Sequence, residues 1–191
     1  GKLGNVLHLH ARVGTYITLV NSLSRYQATH PGSLFFDYVH QADLVYWLLD
    51  RRPESVYAPG FRGGDMEFSA VPNVADIVLE YDAPLISHIH LNYVQMPQRH
   101  GYEVTGDEGW AVLDYEQGTL RAGYKKSQSI DTICFQQDRD DIFRAEHTAF
   151  LDAVEGLRSP ETSAAAGLIS TAICEAILKS WQSGEKTRIG Y

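Results

Sequence analysis

The spacing of apolar and polar positions changes several times along this chain, and each change marks an element. Residues 6–13 alternate, with Val6, His8, His10 and Arg12 on one side and Leu7, Leu9, Ala11 and Val13 on the other. A period of two predicts a strand. Ser, Asn, Thr, Pro and Gly crowd residues 21–32, which read as a loop. Over 34–49 the period lengthens. Phe36, Val39, Leu44, Trp47 and Leu48 recur mostly at three- and four-residue steps, predicting a helix that Arg51-Arg52-Pro53 ends.

Short β-prone runs follow at 56–58, 74–81, 85–96, 102–105, 110–115, 119–124 and 132–135. Asp82-Ala83-Pro84, Gly106-Asp107-Glu108-Gly109 and Glu116-Gln117-Gly118 supply turns between them. Connections this short favour an antiparallel meander over parallel crossover units. Two helices close the chain. Residues 141–156 carry Phe143, Phe150, Leu151 and Val154 on one side, and residues 163–184 carry Ala166, Ile169, Ile173, Ile177 and Trp181, with Gly184 as the stop. The expected fold is α+β: one large, mostly antiparallel, open-faced sheet with helices packed on one face.

Length and composition add bounds to this picture. At 191 residues with 44% hydrophobic and 21% charged positions, the chain suits a single globular domain that needs no staples. Cys134 and Cys174 lie in apolar surroundings without Cys-x-x-Cys spacing, so they are expected as reduced core thiols. The net charge of −8 argues against a nucleic-acid partner, because phosphate binding needs clustered Lys and Arg, and only the doublets Arg51-Arg52 and Lys125-Lys126 occur. No apolar run approaches the roughly 20 residues a membrane span requires. Residues 1–5 have no signal-peptide character, which makes the cytoplasm the expected location.

Several catalytic signatures are missing. No Gly-x-Gly-x-x-Gly turn is present, and the nearest glycine cluster, Arg62-Gly63-Gly64-Asp65, has no strand-to-helix switch around it. Walker, Gly-x-Ser-x-Gly and His-Glu-x-x-His motifs are also absent. No cofactor-binding residue is therefore assigned, and the chain is not expected to run redox chemistry alone.

The stretch that carries chemistry is 32–48. Asp37, His40 and Asp43 stand three apart, which on a continuous helix forms a sloping row. A histidine flanked by carboxylates suits a proton shuttle near neutral pH. The same row also suits an ordinary helix start, with Asp37 favoured by the macrodipole and Asp43 solvated. His88, His90 and Asn92 share one side of a strand, but a His-x-His pair without a third ligand is not read as a metal site.

These segments, in this order, resemble the C-terminal domain of the glucose-fructose oxidoreductase/inositol dehydrogenase/MocA family. The resemblance runs from Leu3 to Ile189 and rests on Gly4-Asn5-Val6-Leu7 with Ala11-Arg12-Val13-Gly14, on the glycine-led helix with its Asp…His-x-x-Asp pattern and Trp47-Leu48, on Leu91-Asn92-Tyr93-Val94-Gln95, on Tyr102 through Gly109, and on the closing helix pair. It implies a glyceraldehyde-3-phosphate dehydrogenase-like substrate-binding and oligomerisation domain. NAD or NADP would be bound by an N-terminal Rossmann half that this chain lacks, along with the family's catalytic lysine. It implies that His40 is the proton-relay residue and Asp37 its carboxylate partner. Asp43 matches the family's second aspartate, which would orient His40 or the helix and border the substrate, and Arg25 and Tyr26 fall where substrate contacts often lie. In many members the first aspartate lies four residues before the histidine, whereas Asp37 lies three before His40, and Pro31-Gly32-Ser33 replaces a longer glycine run. The substrate class is a sugar, polyol or sugar derivative. The resemblance also places the exposed sheet face against a partner subunit in a homo-oligomer, with Tyr93, Gln95 and Trp110 as interface or sheet residues. The alternative is a ligand-binding or dimerisation module of the same fold without catalysis.

Overall fold

The computed structural model describes residues 1–16, 30–65, 70–136, 138–160 and 162–191. Among these residues ten strands form one open sheet: β1 (Val6–Gly14), β2 (Ser55–Tyr57), β3 (Gly60–Phe61), β4 (Val74–Glu80), β5 (Ile86–Asn92), β6 (Arg99–Gly106), β7 (Gly109–Asp114), β8 (Thr119–Tyr124), β9 (Ser129–Cys134) and β10 (Thr187–Arg188). Their order is β10-β2-β4-β5-β1-β6-β7-β8-β9, with β3 paired to β4. The expected meander is present in β6 to β9. The first strand does not sit at an edge. It lies between β5 and β6, parallel to the former and antiparallel to the latter. Its Leu9 and Ala11 are fully buried in the core.

Helices α1 (Ser33–Asp37), α2 (Val39–Leu49) and α4 (Ala164–Ser183) cover one face of the sheet, while α3 (Arg139–Val154) follows the meander. Leu34, Phe35 and Val45 meet Ile173 and Ile177 of α4 above Ile77, Leu79, Ile89 and Leu91 of the sheet. Each fully buried side chain of this kind contributes about 1.5–3 kcal/mol. Ser163 Oγ accepts from Ala166 N at 3.2 Å to cap the start of α4, and Gly184, at φ 72°, ends it in the left-handed conformation. At 20 residues α4 is long and apolar enough, by length and composition, to cross a membrane, contrary to the expectation that no apolar run approaches that length. Its Ile169, Ile173 and Ile177 are instead buried within this core.

Three expectations need correction. The helix expected over 34–49 is two helices, because Tyr38 leaves helical geometry at φ −105°, ψ 25°. Tyr38 is buried there, with its ring 5.8 Å from that of Tyr93. In α3 no residue is buried, and Phe143, Phe150, Leu151 and Val154 are all exposed rather than turned onto the sheet. Cys134, expected in the core, is exposed on β9, and Cys174 is half-buried. Most of the expected loop at 21–32 lies outside the described residues.

Candidate functional site

The site assembles where the break at Tyr38 meets the end of β5 and the start of β6. Gly32 opens it. Its φ of 82° is left-handed, and a Cβ there would come within 2.8 Å of Leu178, so the turn into α1 requires glycine. Asp37 closes α1, and its carboxylate accepts a hydrogen bond from the hydroxyl of the fully buried Tyr93. His40 stands exposed in the first turn of α2, its ring 5.7 Å from that of Tyr38. Although the residue is exposed, the atoms packed around its ring partly desolvate it and lower the His40 pKa below its ordinary value. The Asp37 carboxylate, a hydrogen bond with the Asp37 main chain, and Asp43 oppose that shift. Neutral imidazole is therefore favoured beside a carboxylate, a state able to accept a proton.

Asp37, His40 and Asp43 do not form one helical row, because the break at Tyr38 separates the first from the other two. Asp37 and His40 remain electrostatic neighbours. Asp43 faces α4 and accepts from Ser170 Oγ at 2.5 Å, so it is not free in solvent, and Asp37, expected near a helix start, is the last residue of α1. Arg25 and Tyr26 lie outside the described residues.

Sequence reasoning missed four partners. Tyr93, expected as a sheet or interface residue, is enclosed and held by Asp37. Gln41, only 1% exposed, accepts from Tyr102 Oη at 2.7 Å, and Tyr102 Oη meets His100 Nε2 at 2.8 Å. His100 stacks on Tyr115 with ring centroids 4.4 Å apart and planes 16° from parallel. A polar Gln at a core-facing helix position and the His-x-Tyr alternation of β6 were the available signals. Burial lowers the His100 pKa, with Glu116 opposing and His40 assisting, so the two imidazoles sense each other. Burial raises that of Tyr102, against the hydrogen bond to Gln41.

A separate cluster occupies the open face. Asp76 Oδ1 bonds His90 Nδ1 at 2.7 Å and His88 Nε2 at 2.9 Å, and His88 stacks on His10 with centroids 4.7 Å apart. Burial disfavours the Asp76 carboxylate, but the hydrogen bonds from His90 and His88 outweigh it and hold its pKa low. Among the described residues no group of three His, Cys, Asp or Glu side chains is arranged to hold a metal ion.

The family model described as the GFO/IDH/MocA C-terminal domain matches residues 1–112. No curated protein sequence matches the chain. Among solved structures, levoglucosan dehydrogenase in complex with NADH is similar at TM-score 0.83 and 17% identity, over 100% of this chain and 60% of that one. The WlbA dehydrogenase from Bordetella pertussis, in complex with NADH and UDP-GlcNAcA, is similar at TM-score 0.72 and 20% identity, over 100% and 57%. UDP-N-acetylglucosamine 3-dehydrogenase GnnA from Acidithiobacillus ferrooxidans is similar at TM-score 0.76 and 16% identity, over 95% and 55%. The chain thus spans between 55% and 60% of the length of these structures. At these identities the likeness shows a shared fold.

Proposed function

The chain belongs to the GFO/IDH/MocA C-terminal domain family, and from that premise we propose that it is the substrate-binding and assembly domain of an NAD(P)-dependent oxidoreductase acting on a sugar, polyol or sugar derivative. Support for the substrate class comes from the levoglucosan and UDP-N-acetylglucosamine dehydrogenases that share the fold.

The described residues do not fit a dinucleotide. The sequence has no Gly-x-Gly-x-x-Gly turn between a strand and a helix, which supports a pyrophosphate site outside this chain. A nicotinamide held by another domain would supply the hydride acceptor; the part assigned to this chain is the proton.

The observation that carries the reading is His40 at the Tyr38 break, kept toward its neutral form beside the Asp37 carboxylate that Tyr93 holds in place. Such an imidazole takes the proton from a substrate hydroxyl as that carbon is oxidised, and returns it in the reverse direction. Asp37 stabilises the imidazolium formed. Asp43 acts at one remove, fixing α2 against α4 through Ser170. Arg25 and Tyr26 are proposed as substrate contacts on the segment preceding α1. The open sheet face is proposed to pair with a second copy, and the location is proposed as cytoplasmic.

The test is a pair of titrations. This chain, titrated with NADH and with NADPH and followed by fluorescence, is expected to show no saturable binding, while the intact protein binds one of them and oxidises a sugar-like alcohol. Micromolar, saturable cofactor binding by this chain alone would overturn the division of labour.

A further inference from the structure

We propose that His100 is a second substrate-contacting imidazole, presenting Nδ1 as a hydrogen-bond acceptor to a hydroxyl of the polyol other than the one whose proton His40 takes. This rests on the reading of the Tyr38 break as the substrate side of the enzyme.

The tautomer follows from a chain of three groups. Tyr102 Oη lies 2.7 Å from Gln41 Oε1, a carbonyl oxygen that only accepts, so the single phenolic proton is committed to Gln41. The His100 Nε2 found 2.8 Å from the same Tyr102 oxygen must then be the donor. A neutral imidazole that carries its proton on Nε2 has a bare lone pair on Nδ1. No described residue donates to that atom.

The anchors of this chain are rigid. Gln41 is almost fully buried, and its main-chain N–H is bonded to Tyr38 O at 2.9 Å. Tyr102 is buried on the helix-covered face, and the His100 main-chain N–H bonds Glu116 Oε2 at 3.0 Å. Stacking on Tyr115 sets the plane of the ring. His100 nevertheless remains partly exposed, so the ring is fixed in orientation without being enclosed. Fixed acceptors of this kind distinguish substrates by what they leave unpaired when a hydroxyl is absent.

The position relative to His40 is set by neighbouring residues of one helix. Gln41, which sets the tautomer of His100, follows His40 directly on α2, and His40 adds a small disfavouring effect on a charge at His100. A polyol whose reacting hydroxyl meets His40 therefore has a neighbouring hydroxyl within reach of His100. Simple alcohols with one hydroxyl gain nothing from it.

Two substitutions separate the ring nitrogens in the intact protein. His100→Asn places an amide oxygen near the Nδ1 position, and His100→Gln places its amide near Nε2, where it keeps the Tyr102 contact. The expected result is a substrate KM raised about tenfold in His100→Gln, the loss of one hydrogen bond, with kcat and the cofactor Kd kept. His100→Asn stays closer to the parent. A KM unchanged in His100→Gln, or His100→Asn impaired at least as much as His100→Gln, would overturn the proposal and leave His100 as a support for Tyr102. KM reports on folded molecules, so a lowered melting temperature does not obscure the comparison. If His40→Asn also left turnover intact, the reading of the whole site would fail. If His40→Asn abolished turnover while the His100 variants kept KM, only this inference would.

Discussion

Asp43 and Ser170, 127 residues apart in sequence, meet at 2.5 Å and tie helix α2 to helix α4. Through this contact the helix that carries His40 is held against the longest helix of the core. Replacing Ser170 with Ala removes a donor to a carboxylate, worth about 1.5–3 kcal/mol. Urea denaturation of Ser170→Ala is expected to show a lowered midpoint with unchanged slope, and turnover per folded molecule of the intact protein should fall only slightly. A midpoint equal to that of the parent would mean that the contact does not hold the helices.

The Tyr102 hydroxyl does similar work between β6 and α2. Phe at this position leaves Gln41 Oε1 buried without its donor, at a cost of about 1–3 kcal/mol. Thermal melts of Tyr102→Phe should therefore fall by several degrees, while Tyr115→Phe, which keeps its ring contact with His100, should not.

Asp37 raises the pKa of His40 against the lowering effect of burial. Removing that charge with Asp37→Asn lowers the pKa further, so His40 stays unprotonated to more acidic pH. The acid limb of the kcat/KM profile for alcohol oxidation is expected to move to lower pH, with a reduced plateau because the imidazolium loses its counter-charge. An acid limb that stayed in place would separate the two residues functionally.

His10 governs stability on the other face. Burial lowers its pKa, His88, His8 and His90 lower it further, and Glu103 opposes them. Its Nε2 is buried without a hydrogen-bond partner. The unfolded chain takes up this proton near the ordinary value of 6.5, whereas the folded chain resists it until more acidic pH. Stability is therefore full above about 6.5 and declines as pH drops through the interval below it. Chemical denaturation between pH 7.5 and about 5 should show this decline, and His10→Gln should flatten it. An identical slope in the variant would assign the effect to His40 and His100, whose pKa values are shifted in the same direction.

Much of this architecture could be read from local patterns. Alternation in residues 6–13 marks β1, the stripe Ile169, Ile173 and Ile177 marks α4, and Gly184 ends it in the conformation that glycine favours. What escaped local reading depends on long-range contacts. The central position of β1 is decided by pairing with β5 and β6, more than 70 residues away. The break at Tyr38 arises because that side chain is drawn into the core beside Tyr93, against a run that favours a continuous helix. The candidate site shows the same division. Asp37 and His40 are candidates from spacing and family pattern, whereas their surroundings are not local: Tyr93 and Tyr102 reach α1 and α2 from 56 and 61 residues away. The apolar side of α3 misled because periodicity reports that a face is apolar, not that anything covers it.

The most direct test of the central claim is the turnover of His40→Asn in the intact protein with a sugar-like alcohol and its preferred nicotinamide. The account predicts a loss of kcat of about 10²–10⁴-fold, the usual contribution of a positioned acid–base group, with cofactor affinity and melting temperature close to those of the parent. Turnover equal to that of the parent would contradict it, and would leave the domain as a binding and assembly module whose chemistry lies elsewhere.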